Sequence, residues 1–111
     1  MKIKTLQKME SRQYTFNNSK LTVRFGNILN TEAEVIVSCD NSYVTMGGGV
    51  SLAILSAGGE SILRDAKKMC PVPLGDAIVT TAGNLIKQKY IYHCVTLDKK
   101  RRMQILASQV T

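Results

Sequence analysis

Three consecutive glycines, Gly47, Gly48 and Gly49, stand between an apolar run, Val35 to Cys39, and residues Val50, Ala53, Ile54 and Ala57, which repeat at helical spacing. Two physical needs call for glycine at such a junction. It adopts positive φ in a tight loop, and it lets a ligand touch the backbone with no Cβ in the way. A helix starting near Val50 would point unpaired N–H groups and its positive dipole end at that ligand, an arrangement suited to a diphosphate. A tight strand-to-helix turn with no ligand would also use these glycines, and from the residues alone both readings stand.

The other reactive residues are sparse. Cys39, Cys70 and Cys94 are odd in number and form no C-x-x-C pair. Their expected state is reduced, packed thiols. No ligand spacing joins them to His93, so no metal site is expected. Fifteen Lys and Arg against eight Asp and Glu give a formal charge of +7, which favours anionic partners such as nucleotides, phosphates or nucleic acid. Lys99, Lys100, Arg101 and Arg102 form one basic run, and a solubilising surface is the competing reading.

The elements that must position these residues follow from periodicity. With 111 residues, 44% hydrophobic and 21% charged, the chain suits one small domain. No apolar run approaches the ~18 residues of a membrane helix, so no membrane partner is expected. The first residues carry lysines without an apolar core behind them, unlike a signal peptide, so the expected location is cytoplasmic. Leu21, Val23 and Phe25 alternate with polar residues as a strand, with Tyr14 and Phe16 as a short strand before it and "NNS" as the turn. Residues 1–20 are then an N-terminal extension and 21–111 the domain proper. Val35 to Cys39 is apolar enough to be a strand buried on both faces. Gly58 and Gly59 stop the first helix, and Ile62, Leu63, Ala66 and Met69 mark a second. "CPVPLGD" is a loop. Ala77 to Thr81 and Tyr90 to Thr96 are further strands, separated by the loop "AGNLIKQK", and Met103, Leu106 and Val110 space out as a last helix. Alternating strands and helices imply an α/β fold with a mostly parallel sheet, and ligands there bind beyond the carboxyl ends of the strands.

Four segments together resemble a known signature. "VIVSCDNSYVTMGGGVSLAIL-SAGG" resembles that of the macro domain family, an ADP-ribose-binding fold, which reads approximately A-I-V-N-A-A-N, a variable loop, G-G-G-V-D-x-A-I, then A-A-G. "RFGNIL" resembles its G-D-I-T strand end, "GDAIVTTAGNL" its G-x-(A/V)-V-x-T-x-(A/G)-x-L strand, and "KYIYHCVTLD" its K-Y-(I/V)-(I/F)-H-x-V strand. The resemblance covers about Leu21 to Asp98. It implies a three-layer α/β/α domain with a mixed, mostly parallel sheet. It also implies two further strands and a second glycine-containing loop after the last helix here. The expectation is therefore a fragment or truncation lacking the last strands and helices, or a chain that pairs its exposed sheet edges with another copy.

Residue by residue, the resemblance implies that Asn41 bonds the distal ribose and that Gly47, Gly48, Gly49 and Val50 form the first diphosphate loop, with Ser51 beside them. Asn27 stands where the family has an Asp that bonds the adenine amino group, and Ile28 offers its backbone N–H beside it. Three departures matter: Ser38 and Asp40 replace the first Asn and second Ala of N-A-A-N, and Ser51 replaces the Asp of G-G-G-V-D, which in one hydrolytic branch serves the attacking water or the distal ribose. Asp40 is a base, a ribose ligand, or the carboxylate of an Asx-type turn. His93 reads as a core histidine, and Tyr43 lines the pocket or covers it.

These residues frame three functions. The first is binding of ADP-ribose, free or attached to a protein, with no cofactor. The second is an ADP-ribosyl hydrolase acting on ADP-ribosylated protein or nucleic acid, with Asn41 and Asp40 as the candidate catalytic residues; whether the chain is an enzyme stays open. The third is a basic nucleic-acid-binding module, against which the four Tyr and two Phe do not interleave with the basic run as stacking platforms would.

Overall fold

The computed structural model describes residues 11–97, so the helix expected around Met103 lies outside the described residues. The chain divides into two compact units, the first ending at Thr31 and the second beginning at Glu32.

In the first unit, β1 (Ser11–Phe16) and β2 (Ser19–Arg24) form an antiparallel hairpin in which Tyr14 faces Leu21 and Arg12 faces Val23. Asn17 turns the chain at φ 53, a conformation that Asn tolerates better than most residues. Alternation puts Tyr14, Phe16, Leu21 and Val23 on one face and Gln13, Thr15, Lys20 and Thr22 on the other. The boundary expected after Lys20 falls inside β2. A 3₁₀ turn, Ile28–Asn30, follows, with Asn27 as its N-cap.

The second unit holds β3 (Val35–Asp40), α1 (Gly49–Gly58), α2 (Ser61–Lys67), β4 (Ala77–Thr81) and β5 (Tyr90–Val95). The three strands form one mixed sheet in the order β3-β5-β4. Residues 82–89 between β4 and β5 contain no helix and are too short for a parallel crossover. The two strands therefore pair antiparallel, and β5 runs parallel to β3 on its other side. One pairing of each kind replaces the mostly parallel pattern that simple alternation suggests.

Side-chain parity sorts this sheet into two faces. Ile36, Ser38 and Asp40 of β3 and Ile91, His93 and Val95 of β5 are buried. Val37 and Cys39 on the other side of β3 are exposed, as are Tyr90 and Tyr92 of β5. The expectation that β3 is buried on both faces is thus corrected: α1 packs on the Ser38 side, and no described element covers the opposite side of β3.

The core joins Ile36, Ile91 and Val95 to Ile54, Ile62 and Ala66 of the helices and to Val44, Met46, Val72 and Ala82 of the loops. Each large side chain buried in this way contributes roughly 1.5–3 kcal/mol. The stripe expected on the first helix is also corrected. The buried face of α1 is Ser51, Ile54 and Gly58, whereas Val50 and Leu52 are exposed. That face is narrow because a close backbone approach replaces large side chains at its end. Asn84 N–H donates to the Gly58 carbonyl at 2.8 Å, and a Cβ on Gly58 would lie 2.5 Å from Ile62 Cδ1 and 3.1 Å from the Ala82 carbonyl oxygen.

All three cysteines are free, as expected, but none is fully buried: Cys39 is exposed and Cys70 and Cys94 are half-buried. Burial, then the nearby Asp40 carboxylate, pushes the Cys70 thiol up from its ordinary pKa. Burial, then Cys39, then Asp40 does the same for Cys94. Because the thiolate is the reactive form, Cys39 should alkylate first with iodoacetamide at neutral pH, with Cys70 and Cys94 lagging. Peptide mass spectrometry over a time course checks this order, and equal rates at all three would contradict it.

Candidate functional site

The connection from β3 to α1 is fixed from below and open above. Asn41 organises it. Its Oδ1 accepts from the N–H groups of Tyr43 at 3.1 Å and Thr45 at 3.3 Å, and its Nδ2 donates to Thr45 Oγ1 at 2.8 Å. The Asx-type turn therefore belongs to Asn41 and not to Asp40. Val44 N–H donates to the Asn41 carbonyl at 3.0 Å, and Val72 N–H to the Ser42 carbonyl at 2.8 Å.

Val44 and Met46 are buried, and both hold positive φ, 50 and 53. A β-branched valine in that region is strained. Its burial offsets the strain and locks the loop into one shape. Tyr43, Thr45, Gly47, Gly48, Gly49 and Val50 are exposed on the opposite side.

The three glycines differ. Gly49 has φ +59 and open space where a Cβ would stand, so its backbone requires glycine. Gly48, the N-cap of α1, is fully extended at φ −164, a conformation any residue adopts. It supplies no side-chain cap to the first turn, and that turn's N–H groups are left facing outward.

Beneath the loop, the departures from the family pattern find one another. Ser51 Oγ donates to the Cys39 carbonyl at 2.9 Å, so its contact with Ser38 Oγ at 2.8 Å is one in which Ser38 donates. Both serines are buried. Ser51, expected among the ligand-binding residues, thus has its hydroxyl engaged in tying α1 to β3. Asp40, 2% exposed, places Oδ2 2.8 Å from His93 Nδ1, and His93 Nε2 lies 2.8 Å from Thr80 Oγ1. An ionised carboxylate only accepts, so Nδ1–H donates to Asp40. Thr80 Oγ1, the atom that faces Nε2, donates to the Thr81 carbonyl at 3.0 Å. His93 is a core histidine, as its mid-strand place implied. Asp40, the candidate catalytic carboxylate, points into the core beside it.

Asn27 and Ile28 lie in the first unit. Asn27 Oδ1 accepts from Leu29 N–H at 3.0 Å, so the oxygen that would meet an adenine amino group also caps the 3₁₀ turn. A cleft of about 510 Å³ opens there, lined by Arg24, Phe25, Gly26, Asn27 and Ile28 among others. Among the described residues no three His, Cys, Asp or Glu side chains are grouped to hold a metal, and no helix is long and apolar enough to cross a membrane.

The loop from β3 to the N-terminus of α1, carried on a mixed α/β sheet, matches a defined class of domain. The Macro domain family model matches residues 37–110. An uncharacterized protein of Aquifex aeolicus is 45% identical over 74 residues, 67% of this chain and 44% of that protein. A macro domain-containing protein of Caldanaerobacter subterraneus subsp. tengcongensis is 42% identical over 80 residues, 68% of this chain and 45% of that protein. Among solved structures, the Oceanobacillus iheyensis macrodomain with ADP superposes with a TM-score of 0.72 at 29% identity, covering 78% of this chain and 49% of that one. The Trypanosoma brucei macrodomain in complex with ADP-ribose superposes at 0.58 and 27% identity, covering 63% and 30%. The fold is the α/β macro fold, and the chain belongs to the macro domain family. It spans somewhat under half the length of the Aquifex aeolicus and Caldanaerobacter subterraneus proteins.

The sequence alone did not reveal the Ser38–Ser51 and Asp40–His93 partnerships. The available signal was strand parity: Asp40 and His93 sit at positions of the same inward parity as Ile36 and Ile91.

Proposed function

We propose that this chain binds ADP-ribose or a related nucleoside diphosphate, free or attached to a protein, with Gly47, Gly48, Gly49 and Val50 around the diphosphate and Asn41 near the distal ribose. The observation that carries this reading is Gly48. Its extended backbone does not require glycine, so the use of glycine there is accounted for by a ligand that must reach the main chain at a helix N-terminus. Relatives described with ADP and with ADP-ribose bound support the same class of ligand.

Calorimetry with ADP-ribose tests this on the parent chain and on Gly48→Glu, which adds bulk and like charge at the point of approach. The expected result is binding by the parent and a loss of about tenfold or more in the variant, equivalent to about 1.4 kcal/mol. Unchanged affinity in Gly48→Glu would remove the loop from the site.

Binding without appreciable turnover is the form of this proposal. Hydrolysis at an anomeric carbon needs a positioned water and an acid or base that can reach it. Asp40 is buried against His93, and Ser51 donates its proton to a backbone carbonyl. An ADP-ribosylated protein incubated with the chain should release no ADP-ribose above the uncatalysed rate. Release that disappears in Asp40→Ala or Asn41→Ala would establish the hydrolase reading instead.

A further inference from the structure

The sheet brings together two thiols that lie far apart in sequence. Cys39 of β3 and Cys94 of β5 are direct register partners in the parallel pair. Both belong to the face opposite the buried Ser38–His93 row, so their side chains emerge on the same side. Ala77 of β4 is the next residue in that row, which leaves the flank of Cys94 uncrowded. Cys39 is exposed and Cys94 half-buried, and neither is in a disulfide. Their proximity also registers electrostatically, since Cys39 is one of the groups that hold the proton on Cys94.

We propose that Cys39 and Cys94 form a two-thiolate site for a soft monovalent d¹⁰ cation of the Cu(I) class. Three considerations select that chemistry. Neighbouring strands are separated by about 4.8 Å, whereas a disulfide needs its Cβ atoms within about 3.5–4.5 Å, so a direct S–S bond would require the strands to move together. A metal ion held between the two sulfurs removes that requirement, because the sulfurs then need not touch each other. No described group of three or more His, Cys, Asp or Glu is placed to hold an ion. The row therefore does not offer the four ligands of a structural Zn²⁺ site, and two thiolates suit a soft ion content with two. Binding releases both thiol protons and leaves a bis-thiolate complex with one net negative charge.

The test is an anaerobic titration of the reduced chain with Cu(I) in competition with a chromogenic Cu(I) chelator. Parallel titrations use Cys39→Ser, Cys94→Ser and Cys70→Ser, each first shown by circular dichroism to keep the parent fold. The expected result is one ion per chain, at least 100-fold weaker binding in Cys39→Ser and in Cys94→Ser alike, and parental affinity in Cys70→Ser. X-ray absorption of the loaded parent should show two sulfur neighbours. Failure to compete with the chelator, parental affinity in either single variant at the pair, or a loss that tracks Cys70 would overturn the proposal. If a serine variant does not fold, Cys39→Ala and Cys94→Ala are read by the same criteria.

Discussion

Replacing His93 with alanine should destabilise the second unit by about 3–5 kcal/mol, because it leaves the Asp40 carboxylate buried without its partner. Asp40 is 2% exposed and His93 fully buried, and His93 Nδ1–H donates to the carboxylate at 2.8 Å. The contrast with Lys87–Glu32 at 3.9 Å and Lys89–Glu34 at 3.4 Å is one of environment. Those pairs stand in water and are worth about 0–1 kcal/mol each. A domain of this size is stable by only about 5–15 kcal/mol, so His93→Ala should shift the urea midpoint strongly. Asp40→Ala alone should cost less, about 1–3 kcal/mol, the cost of leaving the buried His93 Nδ1–H without its acceptor. The double variant Asp40→Ala/His93→Leu should recover most of the loss. A His93→Ala protein that unfolds at the parental midpoint would show that Asp40 finds water or another donor.

Gly83→Ala should cost about 3 kcal/mol or more. Gly83 has φ +59, and a Cβ there would run into the Gly58 carbonyl oxygen and lie 2.9 Å from Ser61 Oγ. The left-handed conformation alone costs an L-residue about 1–2 kcal/mol. The clash adds to this because its partner is backbone. Relief requires the β4–β5 loop to lift from α1, which breaks the Asn84-to-Gly58 hydrogen bond at 2.8 Å. Gly26→Ala is the control: its Cβ would meet nothing within 4 Å, and the change should stay within about 0.5 kcal/mol. Equal melting of the two variants in chemical denaturation would contradict the close approach.

The elements were readable where period and punctuation agreed. Ala77–Thr81 was found to the residue, α1 ends where Gly58 and Gly59 predicted, and the hairpin around Asn17 follows from its turn residues. The exposure of Val37 and Cys39 was not readable, because an apolar strand looks the same whether one face or two are covered. The buried stripe on α1 departs from its apolar periodicity for a related reason. Periodicity counts large apolar residues, whereas Gly58 packs by the absence of a side chain. At the site, the glycine run was visible, but its division of labour was not. Only backbone angles separate Gly49, which needs positive φ, from Gly48, which does not. Asn41 carries an expected ligand role from the resemblance, whereas its hydrogen bonds across the loop emerge only once Thr45 is folded back upon it.

The proton chain from Ser38 Oγ through Ser51 Oγ to the Cys39 carbonyl has a consequence for how this sequence can vary. The two serines stand on different elements, and the signature that the chain resembles carries Asn and Asp at these places. Ser38 has no exposed surface, so a larger amide introduced there alone would press on a neighbour sized for a hydroxyl, a form of overpacking that typically costs 1–3 kcal/mol. An Asp at 51 alone would face a serine too short to enclose it. The two positions therefore behave as one heritable unit, and either single change is a less fit intermediate. Libraries that randomise them one at a time would score both as intolerant, while joint randomisation would recover the paired solutions.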